Sequence, residues 1–146
     1  MKIGKAETSD KDLIQMCQKL GILLRFINFK DKLNEVNPKT GAYIVNMASS
    51  NHNGTHWVGF FLSPDRKAFY FDSFSAYPAK EILEFMLRWT NSQDAIYFNP
   101  YVIQDLHGGY CGQYVVDFLT YMNKNPSIIG FQKFLKQFKL KNILYR

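Results

Sequence analysis

His56-Trp57-Val58-Gly59-Phe60-Phe61-Leu62-Ser63-Pro64-Asp65-Arg66-Lys67-Ala68-Phe69-Tyr70-Phe71-Asp72-Ser73-Phe74 consists of two apolar, aromatic runs on either side of a polar turn. Aromatic and β-branched residues favour strands, and Ser-Pro-Asp-Arg-Lys is turn chemistry. The stretch therefore predicts a hairpin of strands 56–62 and 68–74. With the turn centred near Pro64, His56 and Asp72 oppose each other across the open end. Opposed residues have Cβ atoms about 4.5–5.5 Å apart. A carboxylate at that range can accept the imidazole Nδ1 proton, fix the tautomer and stabilise the imidazolium.

A third group comes from further along the chain. In Gly108-Gly109-Tyr110-Cys111-Gly112-Gln113-Tyr114-Val115-Val116, a cysteine stands at a glycine-flanked break where an apolar helix begins. The first N–H groups of a helix lack intrahelical partners and carry partial positive charge. A thiol placed there can titrate well below its free value of roughly 8.5, into the range of about 3.5 to 7.5. Gln104, seven residues before Cys111, follows a predicted strand. Its amide and the Cys111 N–H are candidate donors to an oxyanion formed on an attacked carbonyl. Gly109 and Gly112 have no side chain to obstruct an approaching substrate backbone.

The remaining elements place these groups in an α+β fold. Ser9-Asp10 caps a helix carrying Leu13, Met16, Cys17 and Leu20, which Gly21 ends. Residues 23–29 are apolar, and 42–48 read as a strand. A polar loop, 49–55, leads into His56. Pro78 opens a helix to about Trp89. Residues 95–103 form a strand that Pro100 interrupts, as at a sheet edge. Helices are expected over 111–123 and 126–138. No repeat or linker divides the chain, so residues 1–146 are read as one domain.

Composition narrows the class. Hydrophobic residues make up 47% of the chain, which excludes a disordered protein. No apolar run reaches the ~18 residues of a membrane span. The N-terminus lacks the apolar core of a signal peptide, and two distant cysteines make no disulfide framework. An intracellular, reducing setting is expected. Two cysteines without CxxC spacing and three histidines are read as providing no zinc site. Cys17 belongs to an apolar helix face and is assigned to the core. His52 falls in the polar loop, and His107 is a candidate rim residue.

The order His56-Trp57, Asp72, Gln104, Cys111-Gly112 resembles the adenain-type cysteine proteases of DNA viruses, of the same clan as the SUMO- and ubiquitin-like-protein proteases. The match runs from about Ala42 to Tyr121. Papain-like enzymes place Cys before His, the reverse order. Asp at position 72 is usual in the SUMO-protease branch, whereas adenain more often has Glu. The seven-residue step from Gln104 to Cys111 is closer to adenain. The resemblance implies a mixed central sheet flanked by helices, with the nucleophile at a helix N-terminus. It implies that His56 is the general base, Asp72 its orienting acid, Gln104 the oxyanion donor and Cys111 the nucleophile, with Trp57 lining the site.

It further implies a monomeric endopeptidase that cleaves viral precursor proteins during virion maturation, in the virion and in the host nucleus or cytoplasm. No cofactor enters the chemistry, but DNA or a viral peptide is an expected activator. Small residues, often glycine, are implied before the scissile bond. The alternatives are an isopeptidase acting on a ubiquitin-like modifier and an inactive, basic DNA-binding virion protein.

Charge bears on the DNA partner. The net charge is +6, and no acidic residue follows Asp117. The excess lies in Lys124, Lys133, Lys136, Lys139, Lys141 and Arg146, since the other twelve basic residues match the twelve acidic ones. Phe131, Phe134, Leu135 and Phe138 recur at helical spacing, leaving Lys133 and Lys136 on the opposite side. Such a patch, with Lys139 and Lys141 following, suits salt-dependent, sequence-independent contact with phosphates.

Overall fold

The computed structural model describes residues 9–48, 56–103 and 111–144, the last six as backbone. The elements run α1 (Asp10–Lys19), β1 (Leu24–Phe29), a 3-10 helix (Lys30–Glu35), β2 (Gly41–Asn46), β3 (Trp57–Leu62), β4 (Ala68–Phe71), α2 (Lys80–Thr90), a 3-10 turn (Gln93–Ala95), β5 (Ile96–Phe98), α3 (Cys111–Lys124) and α4 (Ile128–Leu144). The α+β class holds. The strands form one mixed sheet in the order β1-β2-β3-β4-β5, antiparallel at its centre and parallel at both edges. Among the described residues, no helix is long and apolar enough to cross a membrane.

Strand alternation sorts the core into two layers. Ala42, Ile44, Trp57, Phe61, Phe69 and Phe71 face α1, α3 and α4. Tyr43, Val45, Val58, Phe60, Leu62 and Tyr70 face α2. Both central strands, β2 and β3, are therefore buried at every position. Phe118 of α3 packs against Phe71, Phe131 and Phe134, with ring centroids 5.3, 5.7 and 5.7 Å away. Each such ring, fully buried, contributes about 1.5–3 kcal/mol. Cys17 is 1% exposed in the same layer, as its helical spacing requires.

Two details of chain chemistry shape the fold. Ser9 accepts the Asp12 N–H at 3.1 Å, and Asp12 accepts the Ser9 N–H at 3.3 Å, a reciprocal cap that starts α1. Gly59 lies where α3 crosses β3. A β-carbon added there would sit 2.5 Å from Val115 Cγ1 and 3.3 Å from the Tyr43 carbonyl oxygen. The missing side chain lets α3 approach the sheet one turn beyond Cys111.

Several boundaries differ from expectation. β4 stops at Phe71, before Asp72, because the chain turns there: Ser75 N–H donates to the Asp72 carbonyl at 2.7 Å, and Ser75 has φ +60°. β5 is three residues long, and it ends ahead of Pro100, which has no N–H for a ladder. α4 runs to Leu144 rather than Phe138, as residues 139–144 contain neither Gly nor Pro to stop it.

Candidate active site

The hairpin turn sets the first half of the site, and its register corrects the expected one. Leu62 pairs with Ala68 and Gly59 with Phe71, so the turn centres on Asp65 instead of Pro64. Proline's fixed φ suits the second position of a turn, and three-residue loops end in a left-handed residue. Arg66 takes that role at φ +68°, and its guanidinium lies 3.9 Å from the Trp89 ring centroid. Ser63 and Lys67 close the loop, with Ser63 N–H donating to the Lys67 carbonyl at 2.9 Å.

Continued outward, this register sets His56 opposite Phe74 instead of Asp72. The two rings stack with centroids 4.7 Å apart. Asp72 becomes the diagonal neighbour of His56 on the same face, since a slip of two positions preserves side-chain direction. The contact is kept: His56 Nε2 lies 2.8 Å from Asp72 Oδ1. The nitrogen is also the other one, Nε2 where the sequence suggested Nδ1, which leaves Nδ1 for the thiol. Asp72 Oδ1 accepts the Phe74 N–H at 2.9 Å as well, holding the carboxylate by the turn it begins. Asp72 is 2% exposed, against 20% for the His56 side chain.

Cys111 supplies the second half from the first residue of α3, where it is 6% exposed. Its Sγ accepts the backbone N–H of Trp57 at 3.4 Å. It is also hydrogen-bonded to His56, and the Gly112 N–H at the helix start points to it. The structure thus joins His56, Asp72 and Cys111 from a hairpin and a distant helix. Trp57 contributes its backbone here. Its indole is 8% exposed and lies in the core layer beside Cys111, where the sequence reading had it lining the site. Gly112 is likewise buried.

The electrostatics follow from these contacts. Burial alone would raise the Cys111 thiol. The His56 hydrogen bond, the Trp57 N–H, the imidazolium charge and the Gly112 N–H outweigh it, and the pKa falls below the ordinary 9.0. Burial likewise opposes the His56 charge, but the hydrogen bonds and negative charges of Asp72 and Cys111 push its pKa from 6.5 up to about 9. The two shifts together favour a thiolate–imidazolium pair. Cys17 shows the contrast: burial without such partners pushes its thiol up to about 11.

Gln104, Gly109, His52 and His107 lie outside the described residues, as do the side chains of Lys139 and Lys141. Lys133 and Lys136 are exposed on α4, opposite the buried Phe131, Phe134 and Leu135. Asn99, which the sequence reading leaves within a Pro-interrupted strand, is 2% exposed and bonded to Asp72. The adjacent Pro100 signals that the ladder ends there, but not which side chain takes its place.

The sequence matches no family model and no curated protein. Among solved structures, the chain is similar to the ASFV pS273R protease, at TM-score 0.59 and 13% identity, over 92% of this chain and 63% of that one. The selenomethionine form of the same protease matches at TM-score 0.54 and 13% identity, over 92% and 64%. The chain therefore has the fold of that protease, while spanning less than two thirds of its length.

Proposed function

We propose that the protein is a cysteine endopeptidase in which Cys111 is the nucleophile, His56 the acid–base group and Asp72 its orienting partner. One observation carries this reading: a thiol at a helix start is bonded to an imidazole whose far nitrogen lies 2.8 Å from a buried carboxylate. The thiolate attacks the scissile carbonyl while His56 holds the proton. Gln104 and the Cys111 N–H receive the oxyanion, His56 protonates the leaving amine, and water hydrolyses the thioester. No cofactor enters these steps. The fold is shared with a protease of ASFV, and the sequence's resemblance to adenain-type proteases makes viral precursor proteins the proposed substrates and virion maturation the proposed setting.

Cleavage of a peptide library by wild type and Cys111→Ala tests the proposal. Turnover in wild type alone is expected. Cleavage that survives Cys111→Ala, or an inert wild type, refutes it. A modifier probe ending in diglycine separates the isopeptidase alternative, because its capture by Cys111 would mark a deconjugating enzyme.

A further inference from the structure

Asp72 is held from two directions, and only one of them is its own turn. The β4–β5 ladder makes its last pair at Tyr70 and Phe98. The next residues on the β5 side are Asn99 and Pro100, and a proline cannot extend the ladder. The backbone of Asp72 is left past the last rung at 2% exposure. The side-chain amide of Asn99 fills that place. Its Oδ1 accepts the Asp72 N–H at 3.1 Å, and its Nδ2 donates to the Asp72 carbonyl at 2.7 Å. Nδ2 also donates to the Tyr101 carbonyl at 3.1 Å. Only an amide offers an acceptor and two donors in this planar arrangement. An aspartate would lose both donors and bring a like charge towards Asp72.

The bonds continue on either side. Ser75 Oγ donates to the Asn99 carbonyl at 2.9 Å, and the Ile103 N–H donates to the Ser73 carbonyl at 2.9 Å. Residues 72–75 and 99–103 are thus laced together, and the residue after Ile103 is Gln104. The geometry points to Asn99 as a positioning residue: by clamping the Asp72 backbone it holds the carboxylate against His56 Nε2, and it ties that turn to the segment entering Gln104. This rests on the proposed triad. Asn99 does not itself meet the reacting atoms.

The test is the pH dependence of Cys111 alkylation by iodoacetamide, with peptide mapping to separate Cys111 from Cys17, beside peptide turnover and melting. Asn99→Ala should move the Cys111 profile to higher pH, slowing alkylation at about pH 6 by about tenfold for every pH unit the profile moves. In Asp72→Ala/Asn99→Ala, alkylation should match Asp72→Ala alone, because Asn99 acts through Asp72. If Asn99→Ala fails to fold, Asn99→Ser, which retains one hydroxyl, is expected to move the profile in the same way. An unchanged alkylation profile and unchanged turnover, with only a lower melting temperature, would reduce Asn99 to a structural residue and overturn the inference. So would additive losses in the double variant. A wild-type Cys111 no more reactive than Cys17 defeats the triad itself, and this inference with it.

Discussion

Replacing Gly59 by alanine tests how the fold sets the distance between thiol and imidazole. The added β-carbon would lie 2.5 Å from Val115 Cγ1. Packed carbons sit about 3.5–4.0 Å apart, so the overlap is roughly 1–1.5 Å. Val115 is 0% exposed, so its side chain has no open solvent to turn into. As a β-branched residue in a helix, it is also held in one rotamer about 90% of the time. The relief available is an outward shift of α3 by about 1 Å. Cys111 lies one turn earlier on the same helix, and its bond from the Trp57 N–H is already 3.4 Å long. Overpacking should cost about 1–3 kcal/mol of stability. The displacement should slow turnover by about 100-fold. Urea unfolding measures the first, and peptide cleavage with Cys111 alkylation measures the second. Val115→Ala, added to Gly59→Ala, removes the clashing methyls and should recover part of the rate. The reasoning fails if Gly59→Ala loses stability yet reacts at the wild-type rate, or if the second substitution restores nothing.

The pH profile carries a sign. Cys111 titrates below the ordinary thiol value and His56 at about 9, so alkylation should persist at mildly acidic pH. Peptide cleavage should fall as pH rises through about 9, where His56 loses its proton; a cleavage rate still climbing above that pH contradicts the assignment. His56→Ala should return Cys111 towards ordinary thiol behaviour, read as lost labelling at about pH 6. Ser9→Ala removes one half of the reciprocal cap on α1 and should cost about 1 kcal/mol in thermal unfolding, with peptide cleavage unchanged. Lys133→Glu with Lys136→Glu should weaken binding to duplex DNA and flatten its salt dependence. Binding that is unaltered would remove DNA contact at α4.

The hairpin was legible because its aromatic runs and turn residues are local signals. Its register was not, since a turn without glycine can centre on Pro64 or Asp65, and the choice depends on Arg66 tolerating a left-handed backbone beside Trp89. The slip by two kept His56 and Asp72 on one face, so the pair survived a wrong alignment. Cys111 was legible as a residue at a helix start, but nothing local connects it to residue 56. That junction depends on Gly59, whose reason for being glycine is a valine 56 positions later. Asn99 was hidden because its partners are backbone atoms of a distant turn, which leave no trace in the pattern of side chains.

His56 and Asp72 belong to one hairpin, while the thiol arrives with α3 from far along the chain. The acid–base pair can therefore assemble from local contacts, but the contacts that lower the thiol pKa form only once α3 has docked. Until then Cys111 is an ordinary, mostly protonated thiol at neutral pH. A chain still folding thus carries a less reactive thiol, and the contacts that activate it arrive with the same step that completes the core.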